Sequence, residues 1–288
     1  MKYIAISIIA LAAASLPAFA TDTSVPAYGA STLPAVSTVN GNVEFTGGFN
    51  RLAGTDNFVG AIAGTISIPV DHAFGVQFDA SAHVVGDDTA FGGAIHAFTR
   101  DPSSYLVGLT AAGVRTTSGN ALWAIGPEAE LYLDRVSIEA WAGIASLDYN
   151  DPALTDRDGF FAIGDIAWYA TDNWRLSVGA SYIFEEASFN IATEYQLEAM
   201  PVSLTGRVTF AENDNITATV GIKGYFGGPD NRTLMERHRQ DDPQNRAFDL
   251  IGETSSRIFE SAPAPKPTPP KACLPGHVFV PGHGCGPI

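Results

Sequence analysis

Between residues 41 and 227 the chain alternates apolar with polar or small side chains in about a dozen short segments, each closed by turn residues. Alternation with period two belongs to strands, whose successive side chains point to opposite faces. The segments start near residues 42, 57, 74, 89, 104, 122, 135, 159, 174, 188, 202 and 216. Val, Ile, Phe, Tyr, Trp and Thr recur in them, as strands prefer. Tight connections such as Asp71-His72, Asp101-Pro102-Ser103, Asp134, Thr171-Asp172-Asn173 and Met200-Pro201 alternate with longer ones, in part of 47–56, at 116–120 and at 150–158. Twelve strands are predicted, and ten or fourteen fit the same pattern. Pro127 falls inside the sixth strand, where a residue that cannot donate to the ladder predicts a bulge or edge-like geometry.

The two faces differ. One carries Trp174, Leu176, Val178, Ala180, Tyr182 and Phe184 in the ninth strand, Val136, Ile138, Ala140, Ala142 and Ile144 in the seventh, and Val202, Leu204, Gly206, Val208 and Phe210 in the eleventh. This face is predicted to hold no Asp, Glu, Lys or Arg. The other holds Glu44, Asp79, His83, His96, Glu128, Glu130, Glu139, Asp165, Arg175, Glu194, Arg207 and Lys223 among small residues such as Ser177, Gly179, Ser181, Thr205 and Thr219. Aromatics on the apolar face gather at strand ends. Phe49, Phe58, Phe91, Trp123, Phe160, Phe184, Phe189 and Phe210 form one row, and Phe74, Tyr105, Trp168, Trp174 and Phe226 the other. A soluble sandwich would turn its apolar face inward and its charges out. Two aromatic rows bounding an uncharged band are what membrane interfaces select. The predicted fold is all-β, a transmembrane antiparallel β-barrel with the apolar face outward.

The flanking segments change the picture in three ways. Residues 1–20 read as a signal peptide, with Lys2, a largely apolar run over 4–16 and the Ala18-Phe19-Ala20 cleavage site. No later run is long and apolar enough for a spanning helix, so any crossing is by strands. The formal charge of −15 becomes −16 without Lys2, which argues against nucleic acid as a partner. Residues 21–40 are expected to be a disordered lead, 41–227 the barrel, 228–260 a periplasmic linker with a short helix capped by Asn231, and 261–288 a proline-rich spacer and terminal hairpin. Cys273 and Cys285 are expected to pair as a disulfide in an oxidising compartment. The alternative for this tail is a metal site made with His277 and His283. No metal or cofactor is expected.

The last barrel segment, Thr219-Val220-Gly221-Ile222-Lys223-Gly224-Tyr225-Phe226, ends polar–glycine–aromatic. It is similar to the closing strand of Gram-negative outer-membrane β-barrel proteins, and the whole of 41–227 resembles a porin-like member of that class. Gly224 departs from the usual apolar residue there. The resemblance implies residence in the outer membrane among its lipids and insertion by the barrel-assembly machinery.

These features support three functional expectations. The first is a passive channel for small solutes with a weak cation preference, because inward acids outnumber inward bases. The second is a structural barrel with a plugged lumen, whose tail meets peptidoglycan or a periplasmic protein. The third is a hydrolase using an Asp79–His96 pair. If 86–89 connects strands three and four, partners sum to about 175 and the two residues face each other. No nucleophile or oxyanion donors converge on them, so no catalytic residue is assigned.

Overall fold

The computed structural model describes residues 33–260 except 53, 199 and 230, together with the backbone of 277–280 and 284–287. Twelve strands among them close into one antiparallel barrel. They are β1 (Asn40–Leu52), β2 (Thr55–Pro69), β3 (Phe74–Val85), β4 (Asp88–Asp101), β5 (Tyr105–Thr116), β6 (Ala121–Leu133), β7 (Val136–Asp148), β8 (Arg157–Thr171), β9 (Trp174–Ile183), β10 (Glu186–Gln196), β11 (Val202–Ala211) and β12 (Ile216–Gly227). Each strand pairs with its sequence neighbours, and β12 returns to β1 along a ladder from Asn40↔Gly227 to Arg51↔Ile216. Every predicted start lies within two residues of the observed one.

The exterior is apolar. Phe45, Ile62, Phe78, Ile95, Leu109, Ile125, Ile144, Ile166, Val178, Ile191, Leu204 and Ile222 are exposed around the middle of the wall. Aromatics from Phe49 to Phe210 ring one end, and Phe74, Tyr105, Trp168, Trp174 and Phe226 ring the other. A closed barrel has no edge to satisfy with water, so this surface can face hydrocarbon. Two expectations need correction. Phe184 is buried, because β9 stops at Ile183 and a turn with φ of 51° and 65° at Phe184 and Glu185 swings the ring inward. The outer face also carries charge, at Arg51, Asp56, Asp101, Arg115, Asp148 and Asp158. Each lies within one residue of a strand end, Asp101 at the tight-turn rim and the other five at the opposite rim.

Pro127 makes no bulge. Pairing between β6 and β7 lapses at Gly126 and Pro127 and resumes unshifted, from Ile125↔Ile144 to Glu128↔Trp141. The indole of Trp141 donates to the Gly126 carbonyl at 3.2 Å, occupying an acceptor that the lapse frees. The two strands close in here: a Cβ on Gly126 would lie 1.8 Å from the carbonyl oxygen of Ala142. The ladder irregularity is instead between β8 and β9, at Tyr169/Thr171.

The last residues of the N-terminal lead and the linker are ordered against the barrel. Residues 33–39 pack beneath the tight-turn end, with Ala35 donating to His72 at 2.7 Å and Val36 fully buried against Phe98, Leu106 and Tyr132. After β12 the chain turns back into the barrel. It forms α1 (Leu234–Gln240), α2 (Arg246–Glu253) and α3 (Ser255–Ile258). The cap of α1 is Thr233, in a reciprocal box with Glu236, and Asn245 caps α2. Farther on, β13 (His277–Val280) and β14 (Gly284–Pro287) pair with each other. Cys273 and the side chain of Cys285 lie outside the described residues, as does any metal ligation by His277 or His283.

Candidate functional site: the plugged lumen

Inward-facing residues divide by height. In the half nearer the β1–β2 connection, β4 to β8 turn Ala90, Val114, Leu122, Ala124, Trp141, Ala145, Phe161 and Ile163 inward. An apolar lumen wall facing water would be costly, and α2 and α3 cover it with Leu250, Ile251 and Ile258, each fully buried. Gly92 gives Ile251 its room: a Cβ there would lie 3.0 Å from Cδ1 of Ile251.

In the other half the wall is polar, and the helices meet it with charge. Asp79 accepts from Nε2 of His96 at 2.8 Å and from the backbone amide of Arg246 at 2.7 Å. Nδ1 of His96 lies 2.9 Å from Glu128 and 3.1 Å from the hydroxyl of Thr110. The Arg246 guanidinium lies 3.1 Å from Asp249 and 3.6 Å from Glu128.

A second group gathers at the tight-turn end. Asp242 accepts from Asn42 at 2.6 Å and Thr65 at 3.1 Å and pairs with Lys223 at 3.2 Å. His238 sits between the hydroxyls of Tyr169 at 2.9 Å and Tyr225 at 3.2 Å, with Glu194 3.4 Å away. Arg237 donates to Gln196 at 3.1 Å, and Arg239 lies over the rings of Tyr132 and Tyr169. Near the far end, Glu253 accepts from Ser181, Ser188 and Asn190, and faces Arg207 at 3.7 Å.

The residues expected to line the lumen differ in burial. Asp79, His96, Glu128, Glu130, Glu139, Asp165, Arg175 and Glu194 are buried, while Glu44, His83, Arg207 and Lys223 are only partly covered. Glu130 accepts from Tyr132 at 2.7 Å, and Glu139 pairs with Arg175 at 3.0 Å. The ring of His83 packs on Phe248 with centroids 4.8 Å apart. Asp79 does not oppose His96 across the ladder. The two-residue turn 86–87 sets partners summing to 173, so Asp79 faces Ala94, and it reaches His96 diagonally. The alternation missed Arg100, buried near Ala35, and every plug residue.

The plug is off-centre. Its middle helix lies against β3, β4 and β5. Part of the inward face of β1, β11 and β12 stays incompletely covered, at Glu44, Thr46, Thr205, Arg207, Thr209, Thr217, Thr219 and Lys223. A cavity of about 70 Å³ lies there, lined among others by Glu44, Arg207, Thr219 and Lys223. One of about 60 Å³ adjoins it, sharing Thr46, Arg207, Thr219 and Phe248 and reaching Asn50 and Phe259. At about 10–15 Å³ per water, each has room for several molecules.

No protein-family model and no curated protein sequence matches the chain. Among solved structures, the KdgM porin is similar at 11% identity, with a TM-score of 0.48 over 65% of this chain and 99% of that one. The NanC porin gives 6% identity and a TM-score of 0.49 over 63% and 98%. Omp33 of Acinetobacter baumannii gives 12% and 0.44 over 65% and 98%. The barrel's own geometry shows the fold: a closed antiparallel barrel of an even number of strands, apolar outside and joined by short turns, has the architecture of outer-membrane β-barrels, here with helices inside it.

Proposed function

We propose that the protein is a narrow outer-membrane passage for ions and small solutes, whose bore is set by the plug. The observation that carries this is the one-sided fit of α2. Packed on β3–β5, it leaves a groove along β11, β12 and β1. Twelve strands enclose more room than the eight that side chains alone fill. The plug takes up most of that room, so the groove suits water and small ions in this conformation. Its wall sets Glu44, Glu194 and Asp249 against Arg175, Arg207 and Lys223. Acids and bases are thus nearly even, and the cation preference suggested by the wall alone is weakened by the pairing.

Planar-bilayer recording of the purified protein tests this. The expected result is a small, steady conductance whose cation preference falls further in Glu44→Gln. A silent wild type, together with a silent barrel cut after Pro229, would sink it. The second reading is a closed structural barrel, favoured by the density of buried ion pairs around Arg246 and Lys223. It would leave contact with peptidoglycan or a periplasmic protein to the face of α1 and the lead. Insertion by the barrel-assembly machinery through β12 belongs to either reading. A hydrolytic Asp79–His96 pair draws no support: His96 is fully buried, and Glu128, Thr110 and the Arg246 amide occupy the partners a substrate would need.

A further inference from the structure

We infer that the chain after Glu260 leaves the barrel on the cell's outer side, so that residues 261–288 are presented at the surface rather than in the periplasm. This stands whether or not the barrel conducts.

The path of the plug carries the inference. An even number of strands brings Asn40 and Gly227 to the same end of the barrel. That end has the turns 70–73, 102–104, 134–135, 172–173 and 197–201. The lead 33–39 packs there too, and an exported chain starts from the periplasm, so this end is the periplasmic one. The longest connection, 149–156, lies at the opposite end, as outer-membrane barrels arrange their extracellular loops.

From Gly227 the chain climbs. The amide of Leu234 donates to the side chain of Asn173 at 3.1 Å, and that of Met235 donates to the carbonyl of Asp172 at 3.0 Å, both in a periplasmic turn. Asp242 is one level up, on Asn42 and Thr65. The amide of Arg246 reaches Asp79 at mid-wall. Glu253 meets Ser181 and Ser188 toward the far rim. At that rim Arg257 pairs with Glu186 at 2.9 Å, and Asn120 donates to the carbonyl of Ile258 at 2.9 Å. Tyr149, at the root of the longest loop, donates to Glu260 at 3.0 Å. Contacts thus advance from one mouth to the other in chain order, and the last of them is at the outer mouth. To re-enter the periplasm the remaining residues would have to pass back through a lumen the plug already occupies.

The composition of the chain beyond Glu260 suits an exposed position. The run Ala262-Pro263-Ala264-Pro265-Lys266-Pro267 continues to Lys271 as a spacer, and it leads to the paired strands β13 and β14. The proposed surface element is a small hairpin on a proline-rich stalk, anchored by the plug. A disulfide between Cys273 and Cys285 would close it.

The test is antibody staining of intact cells that produce the full chain with an epitope tag after Ile288. Reference chains carry the same tag in the 149–156 loop or between Asp134 and Arg135. Heat-modifiable mobility shows that each barrel is folded. The expected result is staining of the C-terminal tag on intact cells, matching the loop reference, while the Asp134 reference stains only after permeabilisation. C-terminal staining that appears only after permeabilisation would overturn the proposal, as would a reversed result for the two references. Labelling of Cys273 and Cys285 by a membrane-impermeant maleimide on reduced intact cells repeats the test without an insertion, and the same two outcomes decide it.

Discussion

The backbone amide of Arg246 and Nε2 of His96 share one carboxylate oxygen, Oδ2 of Asp79, at 2.7 and 2.8 Å. One wall residue thus holds both the histidine of the lumen and the first turn of α2. Replacing it leaves two buried donors without an acceptor, each costing about 1–3 kcal/mol. Asp79→Ala is expected to loosen the plug, seen as larger and noisier openings and faster trypsin cleavage within 234–258 in detergent. Asp79→Asn keeps an acceptor and should do less. Equal effects in the two variants would contradict this account.

Thr219 touches both lumen cavities from β12. A large side chain there fills the groove without reaching lipid. Thr219→Trp should lower unit conductance several-fold while heat-modifiable mobility is unchanged. Conductance that stays at the wild-type level would place the ion path elsewhere.

Ile95 is exposed near the middle of β4 on the outer face. A charge at mid-membrane on a barrel costs about 2–4 kcal/mol. Ile95→Arg should destabilise the lipid-inserted barrel by that much, read from its urea unfolding curve. Arg115 already lies on the same face of β5 at the rim, and Arg115→Ile should change stability little. The contrast between them measures where the hydrocarbon band ends.

Glu185 holds φ of 65° in the turn between β9 and β10 and is exposed. Left-handed backbone costs a non-glycine residue roughly 1–2 kcal/mol. Glu185→Gly should therefore stabilise the barrel by up to about that amount, seen as a higher unfolding midpoint. Phe184, with φ of 51°, is a poor second target because its ring is buried.

The barrel was legible because period two is strict wherever one face meets lipid: a slip of one residue at Ile138 or Leu204 would put charge in hydrocarbon. The plug was not. Its longest helix has eight residues, too few for helical periodicity to stand out, and Arg237, Arg239, Asp241 and Asp242 look like a solvated linker when their partners are unseen. A signal did exist. Val114, Leu122, Trp141, Phe161 and Ile163 are bulky apolar residues on the supposedly wet face, and something apolar had to cover them. The diagonal meeting of Asp79 and His96 depended on whether the turn has two residues or four, a difference that alternation does not record.

Asp242 touches Asn42 of β1 and Lys223 of β12, the strands that meet where the barrel closes, and Thr65 of the neighbouring β2. Synthesis therefore delivers this latch after both strands it joins. The first and last strands can zip along their backbones alone, but the side-chain fastening of their seam waits for a segment that must first thread the ring. A chain interrupted between Gly227 and Asp242 would yield a hoop whose seam is its weakest line.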